Sequence, residues 1–124
     1  MARILLIDDD ERARMAVADM LESIGHEVRC AADGAAGVEL FAREPFDLVI
    51  TDMVMPRQDG MDTISALRSD APSLKLIAMS GGGATLGPDD YLDLAAYQGA
   101  AVTLRKPFGL RQLEVAIAEL QTEP

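Results

Sequence analysis

The chain has 124 residues, 49% of them hydrophobic, with no tryptophan and one cysteine. That length suits a single domain over 1–124, with no room expected for a second, DNA-binding or catalytic domain, and a lone cysteine excludes an internal disulfide and points to a reducing, cytoplasmic setting. A net charge of −10 argues against DNA, RNA or an anionic membrane as a direct partner, though not against a basic protein patch. Strand-like and helix-like patterns then alternate along the chain. Arg3 to Ile7 reads as a strand whose four-residue apolar run is too short for a signal peptide or a membrane span. Glu11 to Ile24 reads as a helix with Ala13, Val17, Met20, Leu21 and Ile24 on one face, stopped by Gly25. Glu27 to Ala31 is a weaker strand, and Ala35 to Arg43 a helix packing through Val38, Leu40 and Phe41. Phe46 to Thr51 is the third strand. Met61 to Ser69 is a helix whose start Asp59 or Asp62 can serve. Leu74 to Met79 is the fourth strand, Tyr91 to Gln98 a short helix, Ala100 to Leu104 the fifth strand, and Leu110 to Leu120 the last helix. Five such pairs imply an α/β fold, one five-stranded parallel sheet with helices on both faces. The loop from Ser80 to Asp90 carries Gly81-Gly82-Gly83, and its glycines argue for mobility or close approach to a ligand.

Two strand-like runs end on acids. Ile4-Leu5-Leu6-Ile7 runs into Asp8-Asp9-Asp10, and Leu48-Val49-Ile50-Thr51 runs into Asp52. Aliphatic and β-branched runs of this length read as buried parallel strands. The rim just past their carboxyl ends is where open α/β sheets bind ligands. Two carboxylates about 4 Å apart repel by roughly 4 kcal/mol at an effective dielectric near 20, so the cluster calls for a cation or a shared proton. Oxygen donors with no Cys or His nearby favour Mg²⁺ or Mn²⁺ over zinc. Ser80 follows strand four and Lys106 follows strand five, on the same rim. Acids for a metal, a hydroxyl and a lysine form a site for phosphoryl transfer, with Asp52 as the nucleophile. The cation and Lys106 screen the repulsion between a carboxylate and an anionic phosphoryl group.

The segments ILLIDDD at 4–10, DLVITDMVMPRQDG at 47–60, IAMS at 77–80 and LRKPF at 104–108 together resemble the receiver domain of two-component response regulators, of the stand-alone, chemotaxis-regulator type. The resemblance covers the whole chain and implies the (βα)5 flavodoxin-like receiver fold. It implies that Asp52 is the phosphoacceptor, that Asp9 is the direct magnesium ligand and that Asp8 supports it through water. It implies a further ligand in the backbone carbonyl of Val54. Ser80 matches the hydroxyl that bonds the phosphoryl group, and Lys106 the lysine that pairs with it. Pro107 follows that lysine as in the family, where the bond is often cis, and Pro56 and Gly60 match the turn after the acceptor. The implied partners are a sensor histidine kinase or histidine phosphotransfer protein as donor, and an unidentified protein as target.

Two positions depart from the family pattern. Thr103 stands where an aromatic often couples to the hydroxyl, and the segment from Ser80 to Lys106 is a few residues longer than usual. Activation is therefore expected to order the loop 81–90 and shift the helix 91–98. Plainer roles fall to other residues. Asp10 reads as a helix N-cap, His26 as a turn residue on the surface, and Cys30 as a small packing residue in or near strand two. The competing reading is a small Mg²⁺-dependent phosphatase with an aspartate nucleophile. Its usual D-x-D signature is followed by Thr or Val, whereas Asp8-x-Asp10 is followed by Glu11 and Arg12.

Overall fold

A computed structural model describes residues 2–53, 60–81 and 102–122. Its elements are β1 (Arg3–Ile7), α1 (Glu11–Ser23), β2 (Glu27–Ala31), α2 (Gly34–Arg43), β3 (Leu48–Asp52), α3 (Gly60–Asp70), β4 (Leu76–Ser80), β5 (Val102–Arg105) and α4 (Leu110–Thr122). All four strand pairings are parallel, and the order across the sheet is β2-β1-β3-β4-β5. β3 and β4 are buried along their whole length, whereas the outer strands β2 and β5 are largely exposed or half-buried. Continuous apolar runs therefore fall where helices cover both faces of the sheet.

The period-2 alternation of the strands builds two cores. Ile4, Leu6, Leu48, Ile50, Ile77 and Met79 meet Val17 and Leu21 of α1 and Leu113, Ala116, Ile117 and Leu120 of α4. On the other face Leu5, Ile7, Val49, Leu76 and Ala78 meet Ile64 and Leu67 of α3, with Val38, Leu40 and Phe41 of α2 against them. Full burial of such a side chain contributes about 1.5–3 kcal/mol. At Gly37 the second face closes tightly: a Cβ there would come within 2.7 Å of Ile7 Cγ1. A side chain at 37 would push α2 off the strand that leads into Asp8.

The helix ends are built as the sequence suggests. Asp10 is the N-cap of α1, its side chain accepting from the N–H groups of Arg12 and Ala13. Asp33 caps α2 by accepting from the Ala36 N–H. Gly25 adopts φ +93°, the left-handed region that glycine enters without penalty. His26 N–H then donates to Leu21 O at 3.1 Å and Gly25 N–H to Glu22 O at 3.0 Å, the paired bonds of a Schellman stop.

Several boundaries move by one or two residues from the sequence reading. β3 starts at Leu48, because Phe46 turns away to stack on Phe41 at 6.2 Å. β4 starts at Leu76, because Leu74 belongs to the turn after α3, its N–H donating to Ala71 O. β5 runs from Val102 to Arg105, its last residue in register with Ser80. Cys30 lies in β2 but is exposed rather than packed, because an outer strand has a covering neighbour on one side only. The expected helix 91–98, the loop beyond Gly81 and the Val54 carbonyl lie outside the described residues.

Candidate functional site

β1 pairs with β2 on one side and with β3 on the other, so the chain winds from β1 to β2 and then crosses back past β1 to β3, reversing direction. The crevice at the carboxyl ends of β1 and β3 is the switch point where open α/β sheets take their ligands. Ile7 is in register with Thr51, which sets Asp8 and Asp52 side by side one residue further on. Asp8 is fully buried and Asp52 is 5% exposed, whereas Asp9 faces solvent. Carboxylate oxygens of Asp8, Asp9 and Asp52 all lie within 4.8 Å of one another.

Lys106 closes the site from β5. Its N–H donates to Ser80 O at 2.9 Å, which continues the β4–β5 ladder and turns the side chain over the crevice. Its Nζ lies 3.1 Å from Asp8 Oδ2 and 3.3 Å from Asp52 Oδ2. Burial by itself lowers the lysine's pKa, but the Asp52 and Asp8 carboxylates outweigh it and hold the group above its ordinary value. The ammonium is thus a fixed internal cation. The Lys106–Pro107 bond is cis. Ser80 is fully buried as the last residue of β4, one step beyond the Met79 that pairs with Asp52. Thr103 stands half-buried in β5, opposite Ala78.

The five residues that the sequence singled out on four motifs, Asp8, Asp9, Asp52, Ser80 and Lys106, therefore do converge on one rim. Asp10 does not join them, because its carboxylate is turned to the α1 N–H groups. Sequence reasoning passed over Arg14, whose guanidinium donates to Asp8 O at 2.8 Å. In the sequence it is one charged residue among several on an amphipathic helix, with no signal that it turns inward.

The donor set suits a small hard cation. All its donors are oxygens, the ligand type that Mg²⁺ takes, and they lie within 4.8 Å of one another. Asp8 has both oxygens engaged, Oδ1 by the Asp10 N–H at 3.0 Å and Oδ2 by Lys106. It is better placed to hold a cation through water than directly.

Comparison with known proteins agrees with this geometry. The family model for the response regulator receiver domain matches residues 4–118. The chain belongs to that family. The receiver is 39% identical over 114 residues to the response regulator receiver protein CpdR of Brucella abortus, covering 91% of each chain. It is 38% identical to the response regulator protein FleR of Pseudomonas aeruginosa, covering 90% of this chain but 23% of that one. It thus spans only a fraction of several longer regulators. Among solved structures, a response regulator receiver domain protein from Clostridium thermocellum superposes with a TM-score of 0.88 at 34% identity, over 97% of this chain and 94% of that one. The Vibrio cholerae chemotaxis protein CheY4 gives 0.85 at 25%, over 97% and 98%. The family serves two-component signalling rather than classical enzyme catalysis, which weighs against the phosphatase reading. Response regulators receive phosphate from histidine kinases, and receiver domains bind Mg²⁺ at an acidic site. Among the described residues no helix is long and apolar enough to cross a membrane.

Proposed function

We propose that this receiver accepts a phosphoryl group on Asp52 from a sensor histidine kinase or histidine phosphotransfer protein, in a reaction that needs Mg²⁺ or Mn²⁺, and signals through changed contacts with a target protein. The observation that carries this reading is the position of Lys106 Nζ between Asp8 and Asp52 beside a third acid. A carboxylate oxygen of Asp52 attacks phosphorus, and the bond from phosphorus to the donor's imidazole nitrogen breaks, its electron pair leaving with that nitrogen. Asp9, Asp52 and the Val54 carbonyl are the proposed direct cation ligands, with Asp8 acting through water. The cation supplies charge neutralisation for the transferring group. Lys106 offsets the charge of about −1.5 to −2 that the modification adds, and the Ser80 hydroxyl donates to a phosphoryl oxygen. The same chemistry permits self-phosphorylation from small phosphodonors and self-dephosphorylation. A single cysteine fits a cytoplasmic setting.

With acetyl phosphate and Mg²⁺ the protein is expected to gain the mass of one phosphoryl group, acid-stable and base-labile, while Asp52→Asn gains none. Phosphate at the wild-type level on Asp52→Asn would place the acceptor elsewhere.

A further inference from the structure

We propose that Arg14 is a positioning residue for the acid cluster: it holds the Asp8–Asp9 peptide plane and so aims the Asp9 carboxylate at the cation. The inference rests on the metal reading above. Asp8 needs no such help. Its N–H donates to Ala31 O at 3.2 Å, its Oδ1 accepts from the Asp10 N–H at 3.0 Å, and its Oδ2 accepts from Lys106. Asp9 is different. It is exposed, and among the described residues no hydrogen bond or ion pair engages its carboxylate. With no such partner to hold it, what its carboxylate can reach depends on where the backbone places its Cα–Cβ bond.

The peptide leading into Asp9 has Asp8 O on one side and Asp9 N–H on the other. Arg14 NH1 donates to that oxygen at 2.8 Å. Arg14 is itself held: it is half-buried, its N–H donates to Asp10 O at 2.8 Å, and Asp10 caps the helix it stands on. Strand end, turn and first helical turns thus close into one ring, with the Asp8–Asp9 peptide as the link that Arg14 fixes. Groups behind metal ligands commonly act this way, orienting a ligand without touching the ion.

The alternative is that Arg14 is only a charge near the site, and the two roles have opposite signs. A bystander positive charge opposes a cation, so its removal tightens Mg²⁺ binding. A positioning group keeps a ligand aimed, so its removal weakens binding. Mg²⁺ titration by calorimetry reads the difference, with fold followed by circular dichroism in chelator. Arg14→Met is expected to bind Mg²⁺ about ten-fold more weakly, the low end for groups that orient metal ligands. Arg14→Lys, which keeps a donor on a long stem, should recover most of the loss. In an Asp9→Asn background Arg14→Met should add nothing, because the group it positions is already changed. Unchanged or tighter binding by Arg14→Met, or a loss that adds to that of Asp9→Asn, overturns the proposal. Should Arg14→Met not fold, Arg14→Gln carries the test, because its uncharged shorter stem must lower affinity if position matters and raise it if only charge does. A wild type that binds no Mg²⁺ removes the metal site and this inference together. A wild type that binds, with Arg14 variants unaffected, removes this inference alone.

Discussion

Replacing Lys106 by Met tests whether the lysine is the internal counter-ion of the site. The ammonium lies 3.1 Å from Asp8 Oδ2 and 3.3 Å from Asp52 Oδ2. At an effective dielectric near 20 each contact is a gross attraction of about 5 kcal/mol. Desolvation and ordering of the long side chain offset much of it. The net cost of truncation comes from what remains: two buried carboxylates facing each other without their cation. Losing one partner of a buried pair costs about 3–5 kcal/mol. The Lys106 side chain is 25% exposed, so water screens part of the charge and about 2–3 kcal/mol is expected. Urea unfolding at pH 7.5 in chelator should show this loss as a lower midpoint at unchanged slope. Saturating Mg²⁺ should narrow the gap, since it supplies the missing positive charge; ligand at 100 times its Kd stabilises by about 2.7 kcal/mol. The sign with pH follows from a raised pKa. The lysine's contribution is full below its unfolded value of 10.5 and is lost as pH rises through the higher folded value. A Lys106→Met protein as stable as wild type in chelator, or a gap that widens with Mg²⁺, would refute the counter-ion role.

Other outcomes follow from the same geometry. Asp9→Ala should weaken Mg²⁺ binding in a titration far more than Asp10→Ala, whereas Asp10→Ala should cost roughly 1 kcal/mol of stability in urea because it removes the α1 cap. Gly37→Ala should destabilise by about 1–2 kcal/mol, overpacking against Ile7 outweighing the gain in helix propensity. Adding Ile7→Val, which removes the Cδ1 nearest the new methyl, should make the double variant more stable than the sum of the singles in unfolding curves. His26 Nδ1 accepts the Ala2 N–H at 2.9 Å. Burial first, and the charge of the amino terminus second, lower its pKa below 6.5. Its stabilisation is therefore full above about pH 6.5 and is lost as pH falls through the folded value. His26→Gln should lose less Tm than wild type between pH 7.5 and 5.5, and parallel losses would show that His26 does not contribute.

Much of this receiver was legible in its sequence because the relevant physics is local or periodic. Aliphatic runs bounded by turn residues marked the strands, Asp10 before Glu11 marked a cap, and Gly25 marked a stop. The acids at 8–10 and 52 were placed on one rim by the rule that parallel strands point their carboxyl ends the same way. What the sequence left open were matters of neighbourhood. Strand limits shifted because a strand lasts only as long as an adjacent strand pairs with it, as Ser80 with Arg105 shows. Cys30 reads as a packing residue, yet it is exposed because β2 is an outer strand. The sequence already told the three consecutive acids apart, but their surroundings are tertiary: Asp8 is buried against Lys106, Asp9 faces solvent and Asp10 is turned to its helix. Arg14 had no signature at all, since a hydrogen bond to a main-chain oxygen asks nothing of the sequence at the accepting end. Its role is decided by how α1 crosses the end of β1, a packing angle set by both elements together and written in neither alone.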